Sequence, residues 1–361
     1  MVVKIGLSNI SEETLELNFK EFLSHEQYNR YYNSEDQIQS GYVCKIENLF
    51  KDKFSFKYCT ATNSATNSLI IALKALDIKF GDEVILSCYS FSACAFSILA
   101  TGAIPVICPI NENLQMDEEA LDSLVNEKTK AVMVVHMRGI EQPLRVIKEK
   151  YGLNIIEDCS QFDGFISNGR LGNTGFSDIS VYSFQSKKVI SAGEGGMICT
   201  NNLNLYKKIF MLHDPAWDMR IFEESIDQNI EWKESFFACA RMNEITAMLI
   251  YPQLENVTEV CNEYKYAKKK LINDLKIAYN TIKIKTYGKF NDESFNIIAK
   301  IDSEINLSNF EYHTYPESLN PVDPHYYFGW RNSIKEKCKI VVSLENSKNI
   351  AKEIIIIRPT L

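Results

Sequence analysis

The chain has 361 residues, 45% hydrophobic and 24% charged, with a formal net charge of −8 at pH 7. That length allows a sizeable core in one large and one smaller domain, and the acidic balance argues against a nucleic-acid binder, which carries a basic face. No apolar run is long enough to span a bilayer and the N-terminus lacks a signal-peptide pattern, so a cytoplasmic protein away from membranes is expected. The ten cysteines form no CxxC pair and no metal-ligand spacing with the histidines. Cys108 and Cys199 sit in apolar runs, which fits buried thiols in a reducing compartment and no metal site.

In chain order, Lys57 to Thr62 predicts a strand, and Asn63-Ser64-Ala65-Thr66-Asn67 leads into the apolar run Leu69 to Leu73. Small hydroxyl residues at a helix N-terminus make an anion site from free N–H groups and the helix dipole; an ordinary N-cap gives the same pattern. Asp82 to Ser87 predicts the next strand, and Tyr89-Ser90-Phe91-Ser92-Ala93 opens a helix. Phe91 there suits either a flat contact with a planar ligand or the core. Gly102 to Ile107, Ala131 to His136 and Ile179 to Ser183 are further short β-rich runs between helical stretches. The alternation predicts an α/β fold, a mostly parallel sheet covered by helices on both faces. Ligands of such sheets gather beyond the carboxyl ends of the strands, where Thr66, Asp158 and Ser183 would meet.

Leu153 to Asp158 predicts a buried strand ending in acids, followed by Cys159-Ser160-Gln161. Asp158 is placed to meet a cofactor ring nitrogen and keep it protonated, or to cap the following helix; Glu157 faces the other way. Ser183-Phe184-Gln185-Ser186-Lys187-Lys188 then precedes Gly193-Glu194-Gly195-Gly196. An amine beside glycines, with a hydroxyl at hand, is what a pyridoxal phosphate (PLP) enzyme needs to link its cofactor and hold the phosphate. A solvated loop fits the same residues. His213-Asp214-Pro215-Ala216-Trp217 carries no position-specific signal; His213 suits a satisfied polar residue and Trp217 packing. After Met242 a long helical stretch runs through Leu271, with Tyr266 to Lys270 as a solvated face, and shorter mixed elements follow. The expected division is a large domain over 1–250, including an N-terminal arm, and a smaller α+β domain over 251–361.

The order of these pieces resembles the DegT/DnrJ/StrS family of PLP-dependent sugar aminotransferases, of fold type I. Asn63-Ser64-Ala65-Thr66 resembles its phosphate loop, with alanine in the glycine place. Ser90-Phe91-Ser92-Ala93 resembles the ring-stacking segment, and Glu157-Asp158-Cys159-Ser160-Gln161 the run that supplies the pyridinium aspartate and a glutamine. Ser183-Phe184 and Lys188 to Gly196 resemble the phosphate serine, Schiff-base lysine and glycine cluster. Arg241-Met242-Asn243-Glu244 and Gln253-Leu254 resemble the helix that follows. The family keeps four residues between its lysine and Gly-Glu-Gly-Gly; Val189 to Ala192 fill that gap after Lys188, so Lys188 rather than Lys187 is expected to carry the internal aldimine. A lysine at this place, where dehydrating relatives have histidine, favours amino transfer.

The resemblance implies PLP held by Ser64, Ala65, Thr66, Phe91, Asp158, Gln161, Ser183 and Lys188, with Lys188 catalytic. It also implies glutamate as donor, a nucleotide-linked keto sugar as acceptor, and a homodimer with active sites at its interface. A free keto sugar, an octulosonate, a cyclitol or another natural-product ketone is the alternative acceptor, and a non-catalytic regulatory protein the alternative class. Three departures stand out. Cys239 occupies the place of a phosphate-contacting asparagine, and the segment after His136-Met137-Arg138-Gly139 is short. Tyr315-Pro316-Glu317-Ser318-Leu319-Asn320-Pro321 resembles the family's Tyr-Pro…Leu-His…Pro substrate loop only weakly, with Asn320 in the histidine place, so Tyr315 and Asn320 are its candidate substrate contacts.

Overall fold

In the computed structural model of the chain, the structure describes residues 10–24, 41–160, 173–214, 239–278, 297–300, 312–314, 327, 330–352 and 354–357. Two helices, α1 (Glu12–Ser24) and α2 (Tyr42–Phe54), precede an alternating run. This comprises β1 (Tyr58–Thr62), α3 (Ala65–Ala75), β2 (Glu83–Ser87), α4 (Ser92–Ala100), β3 (Ile104–Cys108), α5 (Glu118–Leu124), β4 (Thr129–Val135), α6 (Leu144–Tyr151), β5 (Asn154–Asp158), β6 (Ile179–Ser183), β7 (Gly196–Thr200) and α7 (Leu203–His213). Then come α8 (Glu244–Glu255), α9 (Val257–Ala278), β8 (Ile297–Lys300), β9 (Tyr312–Thr314), α10 (Asn332–Lys335), α11 (Glu345–Lys352) and β10 (Ile354–Ile357). The helical stretch after Met242, expected as one, is two helices that meet at Asn256. Its N–H reaches back to Pro252 O while its carbonyl accepts from Glu259 and Val260, so one helix ends and the next begins on the same residue.

The main sheet has seven strands in the order β1-β7-β6-β5-β4-β2-β3. All its pairings are parallel except those of β7, which runs against β1 and β6. Parallel strands covered on both faces read as continuous apolar runs, and β2 and β7 are buried along their whole length. Successive side chains alternate faces. Ile156 packs with Leu69, Ile71 and Cys94 beneath α3 and α4, whereas Ile155 packs with Leu121 and Ile147 beneath α5 and α6. Asp158 therefore shares the α3/α4 side and Glu157 the other. At the β1–β7–β6 edge, α2 and α8 cover an aromatic cluster in which the Phe50 ring lies 4.8 Å from Tyr182 and 4.3 Å from Phe54.

Two further features bear on the site. Strands β8, β10 and β9 form a separate antiparallel sheet with β10 in the centre. Residue 327 and residues 330–347 return to the main sheet. Lys339 pairs with Val106 on β3 and its Nζ reaches Glu83 at 2.6 Å, Trp330 Nε1 donates to Ser90 O at 3.2 Å, and Tyr327 N–H donates to Cys88 O at 2.8 Å. Among the described residues no helix is long and apolar enough to cross a membrane.

Candidate active site

The site is built at the carboxyl ends of the central strands. Ser64 ends the turn after β1 in extended conformation, and its Oγ accepts the Asn67 N–H at 3.2 Å, capping α3. The cap spends the Ser64 hydroxyl on its own helix. The N–H groups of Ala65 and Thr66, which open that helix, take no backbone or side-chain acceptor among the described residues. They are the free amides that make a helix N-terminus attract an anion.

Gly196, the first residue of β7, lies against this helix start. A Cβ there would come within 2.7 Å of Ala65 N, Ser64 C and Ser68 Oγ, so only glycine lets the strand pass so close. Thr62 and Ser183 are the two residues that flank Gly196 across the sheet. Ser183 is thus brought beside the α3 turn from the far side of β7, and its Oγ accepts the Gln185 N–H at 3.3 Å.

Asp158 ends β5 next to β6, where it pairs with Val181. The carboxylate is 3% exposed. Oδ1 accepts the Ser160 N–H at 2.8 Å and Oδ2 accepts the Cys94 thiol at 3.2 Å. Cys94 stands in the first turn of α4, and its N–H donates to Phe91 O at 3.0 Å. One short segment therefore presents both the aromatic ring and the thiol. Burial first, then the charge and hydrogen bond of Asp158, push the Cys94 thiol well above its usual pKa, and the nearby Lys188 ammonium offsets part of that rise. Lys188 is half-buried whereas Lys187 is exposed.

Behind Asp158, on the other face of β5, lies a second polar group. His136 Nε2 and Glu157 Oε1 are 2.9 Å apart, both buried, and Glu157 Oε2 accepts Ser180 Oγ at 3.3 Å. The His136 backbone N–H donates to Asp158 O at 3.1 Å, so one residue grips both of the last two residues of β5. Burial alone would lower the imidazole's pKa, but the hydrogen bond and charge of Glu157 outweigh it and hold it above its usual value. Donor atoms of His136, Glu157 and Cys159 lie within 4.8 Å of one another, a grouping that linear spacing hides. The imidazole and carboxylate bond each other, and burial raises the Cys159 thiol.

Of the expected site residues, Ser64, Ala65, Thr66, Phe91, Asp158, Ser183 and Lys188 are described, whereas Gln161, Tyr315 and Asn320 lie outside the described residues. Cys239 is exposed, and Arg241 Nε donates to its sulfur at 3.2 Å. Arg241 also bridges to Thr62, and Asn63 N–H donates to Ala240 O, so the segment that begins at Cys239 runs beside the α3 turn. His213 is fully buried and its Nδ1 bonds Phe210 O, a satisfied polar residue. Sequence reasoning missed Cys94. The available signal was its position one helical turn beyond the aromatic Phe91.

A sheet of parallel strands with a helix N-terminus, a half-buried lysine and a strand-end aspartate at its carboxyl edge defines an α/β enzyme site. The model of the DegT/DnrJ/EryC1/StrS aminotransferase family matches residues 23–357, and the chain belongs to that family. It is 33% identical over 236 residues to the GDP-perosamine synthase of Vibrio cholerae, an alignment that takes in 62% of this chain and 62% of that protein. It is 37% identical over 151 residues to the UDP-N-acetyl-3-dehydro-alpha-D-glucosamine 3-aminotransferase of Acidithiobacillus ferrooxidans, covering 40% of this chain and 41% of that one. These matches span less than two thirds of either relative. The crystal structure of an aminotransferase from Psychrobacter cryohalolentis shares the fold, with a TM-score of 0.76 at 22% identity over 98% of this chain and 93% of that one. The architecture is thus that of the fold-type I aminotransferases, as expected.

Proposed function

We propose that this protein is a PLP-dependent aminotransferase that moves an amino group from an amino acid, glutamate by preference, to a keto sugar carried on a nucleotide. The observation that carries the reading is the buried Asp158 carboxylate, bonded to Cys94 at the end of β5, together with the close approach of Gly196 to the open N-terminus of α3 and Lys188 on the loop between β6 and β7. These residues fit the cofactor. Two free helix amides and the Gly196 approach leave an anion cradle that any Cβ would fill, and a buried carboxylate stands at the end of β5. When bound, PLP supplies an electron sink for the substrate's reacting carbon.

In this reading Lys188 anchors the cofactor and afterwards carries the proton between the two carbons that exchange it. Asp158 would hold the proton on the ring nitrogen, and Phe91 would supply an aromatic face for the ring. The Ala65 and Thr66 amides with the Thr66 and Ser183 hydroxyls bind the phosphate, with Ser64 as the cap that presents them. Gln161 would serve the phenolic oxygen, and Tyr315 and Asn320 would serve the sugar. The two relatives named for GDP- and UDP-linked sugars support the nucleotide-linked acceptor. The family supports a homodimer with active sites at the interface, and the division into large and small domains near residue 250 belongs to the same reading.

The test is to supply PLP and glutamate with nucleotide-linked and free keto sugars and to measure 2-oxoglutarate and the amino sugar. Release of both with a nucleotide-linked acceptor supports the proposal. Turnover of free ketones alone would move the acceptor class, and no amino transfer with any acceptor would refute the function.

A further inference from the structure

The loop that carries Lys188 is closed by its own backbone at three points. Phe184 N–H donates to Gly195 O at 2.9 Å, Ser186 N–H to Gly193 O at 3.0 Å, and Ala192 N–H to Phe184 O at 3.0 Å. Lys188 N–H donates to Gln185 O at 2.8 Å, which completes a turn at the lysine itself. Ser191 lies within this loop, three residues past the lysine and 4% exposed. Its peptide groups are satisfied by a side chain from elsewhere. The Gln253 amide, on α8, accepts the Ser191 N–H at Oε1 (3.0 Å) and donates from Nε2 to Ser191 O (2.8 Å). A second Nε2 hydrogen donates to Leu249 O at 2.6 Å, one turn back on the same helix.

We infer that Gln253 is a positioning residue for Lys188, a role that rests on the function proposed above. A primary amide carries the same donor and acceptor as a peptide, so it pairs with Ser191 as a neighbouring strand would. Gln253 is itself 2% exposed, and buried peptide groups without partners are costly, so the loop has no competitive solvent-bonded alternative there. Just before Ser191, Val189 and Ile190 are buried in the same cluster as Met248, Ile250 and Leu254 of α8. Apolar packing fixes how deep the loop sits, while the amide fixes its rotation about the chain direction, and with it where Lys188 points. Neither residue type substitutes for the other. Methionine has the length of glutamine without the amide, and asparagine is one methylene too short to reach Ser191 from the same backbone.

The experiment compares wild type, Gln253→Met and Gln253→Asn by hydrogen–deuterium exchange of the cofactor-free protein and by titration with PLP. The expected result is exchange at least tenfold faster within 186–195 in Gln253→Met, with α3 and β5 unchanged, and a PLP dissociation constant raised about tenfold. Gln253→Asn should show the same local loosening. Unchanged exchange and wild-type PLP affinity in Gln253→Met would overturn the role. Exchange accelerated throughout the chain would overturn it too, since the residue would then only stabilise the fold. Wild-type protein that takes up no PLP would refute the function proposed above and the positioning role with it, whereas unchanged exchange refutes the role alone.

Discussion

The Cys94 thiol lies 3.2 Å from Asp158 Oδ2 and joins the first turn of α4 to the last residue of β5. The two residues are 64 apart in sequence, both are buried, and the contact gives the carboxylate a second donor besides the Ser160 amide. Leaving a buried acceptor short of a partner costs about 1–3 kcal/mol. Cys94→Ala should therefore destabilise the cofactor-free protein by about that amount in denaturant titrations, and Cys94→Ser, which keeps a donor, should recover most of it. PLP should raise the melting temperature of Cys94→Ala by more than that of wild type, because its ring N–H supplies the missing donor. Equal stability of the alanine and serine variants would remove the thiol from the account.

Gly196→Ala tests the cradle. The new Cβ would sit 2.7 Å from backbone atoms of Ser64 and Ala65, and backbone cannot swing aside as a side chain can. Overpacking of this kind costs about 1–3 kcal/mol. It falls on the turn that opens α3, so the expected outcome is PLP affinity lowered about tenfold or more with the far sheet edge at β3 unaffected. Isothermal titration of wild type and variant with PLP measures it. Pyridoxal without its phosphate should bind both alike.

The His136–Glu157 pair makes a pH prediction. The folded imidazole has a raised pKa, so its contribution is fully present below the unfolded value of about 6.5. It is lost as pH rises through the higher folded value. Unfolding free energy should fall with pH across that window, and His136→Asn should flatten the slope. Removing one partner of a buried pair strands the other charge, at a cost of about 3–5 kcal/mol, so His136→Ala should be among the more destabilising single substitutions. Urea denaturation at several pH values reads both effects. A slope of the same size in His136→Asn would show that other groups carry it.

Local chemistry made much of this legible in the sequence. Val84-Ile85-Leu86 and Ile155-Ile156 read as buried strands because both of their faces are covered, and each is buried. Lys188, Asp158 and the helix start at Ser64 stood out because each lies in a short motif whose residues act together. The reversed placement of β7 between β1 and β6 was not legible, since a strand's direction depends on partners far along the chain. The break at Asn256 was hidden because the apolar pattern continues through it. The contacts of Cys94 with Asp158, Gln253 with Ser191 and His136 with Glu157 link positions 64, 62 and 21 residues apart. Nothing in any one segment announces its distant partner.

The most direct test of the central claim is to incubate the protein with PLP, reduce with borohydride, digest, and locate the cofactor by peptide mass spectrometry. The account predicts the label on Lys188 alone, absent from Lys188→Ala. Labelling at Lys187, or label that persists in Lys188→Ala, would contradict it.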